Sequence, residues 1–318
     1  MLISFVIPCY RSVDTLPHVV QDIQDMVASR DGYEAEIVLV NDCSPDDTFQ
    51  CIQRLTEEHD NVIGIDIAKN RGQQNAMMAG FHYTSGELII GCDDDGQTPV
   101  ETVFEMIDHL NEGDYDVVCA RYKDRGNRSL FRRLGTWADR KMVKVFLEKP
   151  DEFNTAIYFV ARRVVIEEIM QYDNPYPYWT GLLLRTTHNV GNVETVQKDR
   201  IAGTSNYNFR KLFGLWINGI TSCSIKPLRF ASMIGALLAL AGFVIIIILV
   251  IMKIASGFSM GWTSLIATNI LVGGMIMLML GLIGEYIGRI YLSLNKEPQY
   301  VIRRVIDRKN RGDDEQKD

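Results

Sequence analysis

The chain has 318 residues, 47% of them hydrophobic and 23% charged, with a formal net charge of −7. That length holds one large domain or two small ones and allows a core of ordinary size. The balance excludes disordered, collagenous and disulfide-dense chains, and its acidity argues against nucleic acid as a partner. A mean hydropathy of −0.01 averages over a strongly uneven distribution.

Residues 1 to about 207 alternate short apolar runs with helix-like patterns. The runs Ile3–Ile7, Glu36–Val40, Val62–Ile67, Leu88–Gly91 and Val117–Ala120 read as strands. Helical patterns lie near Thr15–Ala28, Asp47–Glu58, Gln74–Thr84 and Val100–Glu112. This alternation predicts a mostly parallel sheet covered on both faces, with ligands at the carboxyl ends of its strands. Two basic stretches carrying apolar and aromatic residues, Ser129–Leu147 and Phe209–Ile225, read as membrane-surface helices. The alternative is packing on the domain core.

Two long apolar runs follow, Phe230–Met252 and Thr263–Gly284. The first would extend about 34 Å as a helix, enough to cross a bilayer. Lys226 and Arg229 precede it, and Arg289, Lys296, Arg303 and Arg304 follow the second run, while only Lys253 lies between them. The positive-inside rule then places both ends in the cytoplasm. Met1–Pro8 is too short for a cleavable signal. The expected division is a catalytic domain over 1–207, a surface helix over 208–229, two spans over 230–290 and a cytosolic tail over 291–318. Gly274, Gly281 and Gly288 recur every seven residues, and Gly284 with Gly288 makes a G-x-x-x-G, a face suited to close packing between the spans or between subunits of a homo-oligomer.

Six cysteines, none in a C-x-x-C pair, read as buried reduced thiols. Five histidines include no H-x-x-x-H pair. Carboxylates carry the chemistry instead. The apolar strand Leu88–Gly91 runs into Cys92-Asp93-Asp94-Asp95-Gly96-Gln97. A D-x-D arrangement at a strand end offers hard oxygen ligands to a divalent cation that also binds a diphosphate, although acidic turns are commonly just solvated. A second strand ends in Asn41-Asp42-Cys43-Ser44-Pro45-Asp46. There Ser44 or Asp46 suits a helix cap, and Asp42 is freer to accept from a ligand. The first strand stops at Pro8, followed by Tyr10, whose ring could flank a base.

The order P-x-Y, strand–N-D-x-S-x-D, K-N-x-G-Q (Lys69, Asn70, Gly72, Gln73) and D-x-D-x-Q resembles family 2 glycosyltransferases. With the two-span tail and Gly284-Glu285-Tyr286-Ile287-Gly288-Arg289, it resembles the polyprenyl-phosphate hexosyltransferases, from Ile3 to about Tyr300. The resemblance implies a GT-A-like, Rossmann-like α/β domain followed by a transmembrane hairpin. It implies an inverting enzyme at the cytoplasmic face of the inner membrane, moving a hexose from a uridine or guanosine diphosphate sugar to a polyprenyl phosphate such as undecaprenyl phosphate. Pro8, Tyr10 and Asp42 would contact the nucleoside, and Asp93 and Asp94 would lie along the nucleotide sugar. Asp95 and Gln97 would ligate Mg²⁺ or Mn²⁺. Arg121 and Arg200 would meet phosphates of the donor, and Arg132 or Arg133 the lipid phosphate. Asp93 and Asp95 join these four arginines as the expected catalytic set.

The chain departs from the pattern at Tyr10-Arg11-Ser12, where many relatives read Y-N-E, and at Asn41, where many carry a second aspartate. No aspartate stands in Glu152–Tyr158, where relatives place a candidate base, so no base is assigned. A phosphate monoester with a second pKa near ~6 is already a nucleophile at neutral pH, so the reaction survives that loss. Two other readings are transfer to a growing glycan, against which Gln197–Ile201 lacks the tryptophan of Q-x-x-R-W, and a catalytically silent membrane scaffold.

Overall fold

The computed structural model describes residues 1–123, 153–198, 226–256, 261–295 and 297–308. Arg132, Arg133, Arg200, Cys223 and both expected surface helices lie outside the described residues.

Strand β1 (Leu2–Cys9) leads through α1 (Leu16–Ala28) to β2 (Glu34–Asn41), α2 (Thr48–Glu58), β3 (Val62–Ile67), α3 (Gln73–Phe81) and β4 (Leu88–Gly91). A short 3-10 turn precedes α4 (Val103–Glu112), followed by β5 (Val117–Tyr122), β6 (Phe159–Arg162), α5 (Arg163–Met170), α6 (Trp179–Thr186) and β7 (Val190–Thr195). Two long helices, α7 (Lys226–Ser256) and α8 (Trp262–Leu294), come before a last strand, β8 (Ile302–Ile306).

The eight strands form one sheet in the order β7-β5-β6-β4-β1-β2-β3-β8. All run parallel except β6 and β8. The expected mostly parallel α/β sheet is therefore present. The central strands are apolar at nearly every position because both faces are covered. Ile3, Phe5, Ile7, Ile37 and Leu39 pack under α1, α2 and α4. Val6, Val38, Val40 and Ile65 pack under α3, α5 and α6 on the other face. Cys9, Cys51, Cys92 and Cys119 are buried free thiols, as expected.

Strand β1 does not stop at Pro8; it continues to Cys9. Proline is tolerated in a central strand only where no ladder partner needs its N–H. The Cys92 N–H donates to the Val6 carbonyl, and the Asp42 N–H to the Cys9 carbonyl. By alternation Pro8 therefore faces the β4 side, where β4 has already ended at Gly91.

Two expectations for the C-terminal third change. Helix α8 runs on to Leu294, and residues 302–306 form an edge strand antiparallel to β3, so 291–318 is not simply a tail. Arg303 and Arg304, expected to flank the membrane, instead lie in β8. Arg303 pairs with the buried Asp66 at 3.4 Å, and Arg304 lies over the Phe49 ring. Arg308, expected within the cytosolic tail, donates to the Glu57 carbonyl and to Asp60.

Apolar side chains on α7 and α8 are exposed, Phe243 and Met277 among them. Among the described residues, Leu271–Leu294 is long and apolar enough to cross a membrane, and the apolar stretch of α7, Ala231–Ile245, is shorter. A Cβ built on Gly274, Gly281, Gly284 or Gly288 meets nothing within 4 Å. The described part of α7 therefore does not pack on that glycine face.

Candidate active site

Strands β2, β1 and β4 are neighbours, so their carboxyl ends bring three polar segments to one edge. Two of the loops turn sharply there. Arg11 and Cys43 have φ of 58° and 50°, in the left-handed region that costs a side chain strain. The Arg11 N–H donates to the Ser44 hydroxyl at 2.9 Å, which ties the loop after β1 to the loop after β2.

Asp42 is buried, and its carboxylate is already engaged. Oδ1 accepts the Arg71 N–H at 2.7 Å and Oδ2 the Gly72 N–H at 2.8 Å. The Asn70 amide donates to the Asp42 carbonyl at 3.0 Å. Asp42 is thus less free for a ligand than its place at a strand end suggests; it holds the K-N-x-G-Q loop. Burial pushes its carboxyl up, opposed by the two N–H donors. Gly72, with φ of 87°, then starts α3, whose Gln73 donates to Asp93 Oδ1 at 2.7 Å. One short loop therefore links two of the expected aspartates.

Asp94 also faces inward. It accepts the Tyr10 N–H at 2.9 Å and the Ser12 hydroxyl, and its carbonyl accepts from Thr15. It fixes the turn after β1 rather than reaching for a ligand. Burial pushes its carboxyl up, against the Ser12 and Tyr10 donors. Tyr10 stays 38% exposed, with the Arg11 guanidinium 5.6 Å from its ring centre. Neither Ser44 nor Asp46 is the cap of α2: that position is Asp47, which makes no side-chain cap bond, and Asp46, one residue before it, accepts the Thr48 N–H at 3.3 Å.

Asp95 Oδ1 accepts the Gln97 N–H at 3.0 Å. Gln97 is held by a segment to which sequence reasoning gave no role here. Its side-chain amide donates to the Lys198 carbonyl at 3.2 Å and accepts from Gln197 at 3.4 Å. Lys198 is itself held by Glu101 at 3.0 Å and Asp22 at 3.4 Å. Three successive carboxylates make a strongly negative loop: burial raises the Cys92 thiol first, and Asp93, Asp94 and Asp95 raise it further. The same two causes, burial and then Asp93, act on the Tyr122 phenol, which was not among the expected residues. Tyr122 lies on the α4 face of β5, so Arg121, one residue earlier and exposed, lies on the α3 face. Among the described residues, no three His, Cys, Asp or Glu side chains are grouped to hold a metal.

A model of glycosyl transferase family 2 matches residues 4–170, which contain all these loops except 197–198. The chain is a family 2 glycosyltransferase. A second family model, the GtrB C-terminal hairpin, matches residues 226–290, the stretch of α7 and most of α8. Among curated proteins, this glycosyltransferase is 32% identical over 307 residues to a prophage bactoprenol glucosyl transferase homolog of Escherichia coli, covering 96% of this chain and 99% of that one. It is 30% identical over 324 residues to an undecaprenyl-phosphate 4-deoxy-4-formamido-L-arabinose transferase of Proteus mirabilis, covering 99% and 97%. Among solved structures it is similar to glucosyl-3-phosphoglycerate synthase from Mycobacterium tuberculosis, crystallised with Mn²⁺, UDP-glucose and phosphoglyceric acid. The TM-score is 0.52 at 17% identity, over 69% of this chain and 77% of that one. That likeness identifies the fold of the family 2 domain.

Proposed function

We propose that this glycosyltransferase moves one hexose from a nucleotide sugar to a polyprenyl phosphate at the cytoplasmic face of the membrane. The observation that carries this reading is the match, over nearly the whole chain, to relatives named for bactoprenol and for undecaprenyl phosphate. The exposed Tyr10 ring beside Arg11 suits a base, and the K-N-x-G-Q loop held by Asp42 suits the rest of the nucleoside. The division into a catalytic domain over 1–207, a surface helix over 208–229, spans over 230–290 and a cytosolic C-terminal part belongs to this proposal. So do the assignments of Arg121, Arg132, Arg133 and Arg200 to phosphates.

The donor set suits a hard divalent cation, Mg²⁺ or Mn²⁺. Such ions take one or two carboxylates and complete their shell with substrate phosphates and water, so a pair of carboxylates on one loop is sufficient. Asp95 would hold it, with Asp93 adjacent; Gln97 serves better to hold the loop through Lys198. When bound, the ion neutralises charge on the departing diphosphate.

The acceptor phosphate oxygen attacks the anomeric carbon as the bond from that carbon to the diphosphate oxygen breaks. The nucleoside diphosphate leaves with the electron pair, and the configuration inverts. No proton is removed from the nucleophile, so the lack of a carboxylate in Phe153–Tyr158 is no obstacle. That segment has a positioning role instead: the Asn154 N–H donates to Asn192 at 2.7 Å, and the Ala156 carbonyl accepts from Trp179 at 3.2 Å.

Topology supports a hairpin. Strand β8 lies on the same sheet as β3, so any crossing in α8 must be matched by a crossing before it. The lipid-like exposure of both helices agrees with this.

The test uses purified full-length protein, Mn²⁺, undecaprenyl phosphate and a panel of labelled UDP- and GDP-sugars. A labelled lipid is expected with one of them, and Asp95→Ala should lower kcat at least about a hundredfold. Folded protein that labels no lipid with any donor would refute the reading.

A further inference from the structure

The segment after the hairpin does more than complete the sheet. Among the described residues after α8, Glu297 reaches the catalytic domain. The Glu297 N–H donates to the Leu292 carbonyl in the last turn of α8, at 3.3 Å. Its carboxylate pairs with the Arg71 guanidinium at 3.2 Å, with both side chains about a third exposed or less (35% and 24%). Arg71 is the residue whose own N–H binds Asp42 Oδ1, and its carbonyl accepts from Asn75 at 2.8 Å. One side chain therefore joins the end of α8 to the loop that holds Asp42 and, through Gln73, Asp93. The same strap continues alongside that loop: the Ala68 N–H donates to the Val301 carbonyl at 2.8 Å, and Arg303 donates to the Ala68 carbonyl at 3.1 Å.

We propose that Glu297 is a positioning residue for nucleotide-sugar binding, acting through Arg71 on the 69–73 loop. The proposal rests on the transfer reaction of the preceding section. A half-buried ion pair contributes little to overall stability. Its effect here is local, because it fixes the side chain of a residue whose main chain sets the Asp42 hydrogen bonds. Removing it frees the loop to sample other turns, and the ordering cost then falls on donor binding. The 69–73 loop is assigned here to the donor alone, so acceptor binding should be spared.

The experiment compares full-length wild type with Glu297→Gln, Arg71→Glu, Glu297→Arg and the double swap Arg71→Glu/Glu297→Arg. UDP-glucose and GDP-mannose are the donor probes, with Mn²⁺ and undecaprenyl phosphate. Arg308→Gln, on the same strap but paired with Asp60 just before β3, beyond the other end of the β3–β8 pair, is the control. Glu297→Gln should raise the donor KM about fivefold, with the acceptor KM and kcat within twofold. The double swap should recover most of the loss caused by each single reversal, and Arg308→Gln should leave the donor KM unchanged. If a reversal fails to fold, the isosteric Glu297→Gln decides alone. A donor KM within twofold of wild type in Glu297→Gln overturns the proposal. So does a parallel rise in the acceptor KM, or a folded double swap with no recovery. A wild type that transfers from no donor refutes the reaction itself, and this proposal with it.

Discussion

Asn41 and Asp42 show how neighbouring residues of the same strand end divide their tasks. Asn41 donates to the buried Asp66 at 2.7 Å and accepts the Ser44 N–H at 3.2 Å. A carboxylate at position 41 would face the buried Asp66 carboxylate at hydrogen-bond distance with no N–H to donate. The Asn41 amide supplies that donor, so a departure from the pattern of relatives suits the local electrostatics of this chain. Asp42 carries a pH dependence. Its carboxyl is raised by burial, as is that of Asp94. On acidification both take up protons above the ordinary carboxyl value of about 3.9. Protonation removes acceptors from Arg71, Gly72, Tyr10 and Ser12. Nucleotide-sugar affinity should therefore fall on the acid side, beginning above the usual carboxylate range. Calorimetry against pH should show a smaller acid limb in Asp42→Asn and almost none in Asp42→Asn/Asp94→Asn. A limb unchanged in the double variant would remove these residues from donor binding.

At the scale of elements, the site depends on how closely β4 and α3 approach their neighbours. Gly91 ends β4 just before the aspartates, and a Cβ there would run into the Phe159 ring and the Ile157 carbonyl. Gly91→Ala should destabilise the protein by about 2 kcal/mol or more and lower transfer as well, because the strand end that aims Asp93 must shift. Thermal melts and turnover of the same preparation measure the two effects; an unchanged melt and full turnover would show that the packing yields. Much of this layer was legible in the sequence. The strands β1 to β5 announce themselves through continuous apolar runs, helices α1, α2 and α4 through amphipathic spacing, and the D-x-D loop through its charge, while α3 is buried nearly all round. Strands β6 and β7 were not legible. FVAR is four residues long and VGNVET is half polar, so neither carries a periodic signal; β6 is a strand because β4 and β5 pair with it on both sides, and β7 because β5 lies beside it. Likewise the K-N-x-G-Q motif was visible, but the role of Arg71 was not, because backbone donors leave no mark on residue type.

At the scale of the whole molecule, the sheet is closed at one edge by residues that follow both long helices. Ile306 packs over Gly64, where a Cβ would lie 2.7 Å from Ile52 and 3.8 Å from Ile306. A chain ending at Asn295 should lose this cover, leave the β3 edge unpaired and melt several degrees lower. An unchanged melting temperature would make β8 dispensable to the fold. Sequence could not reveal this strand, since IRRVI reads as a basic segment beside a membrane until β3 is seen opposite it. The pairing also imposes an order in time. Arg303 meets Ala68 across 235 residues of chain, among the longest loops the molecule closes. During synthesis β3 waits with an open edge until α7 and α8 have been made and a later segment can return to it. The 69–73 loop receives its last brace only then, so a chain that has not yet completed its hairpin holds an unfinished enzyme.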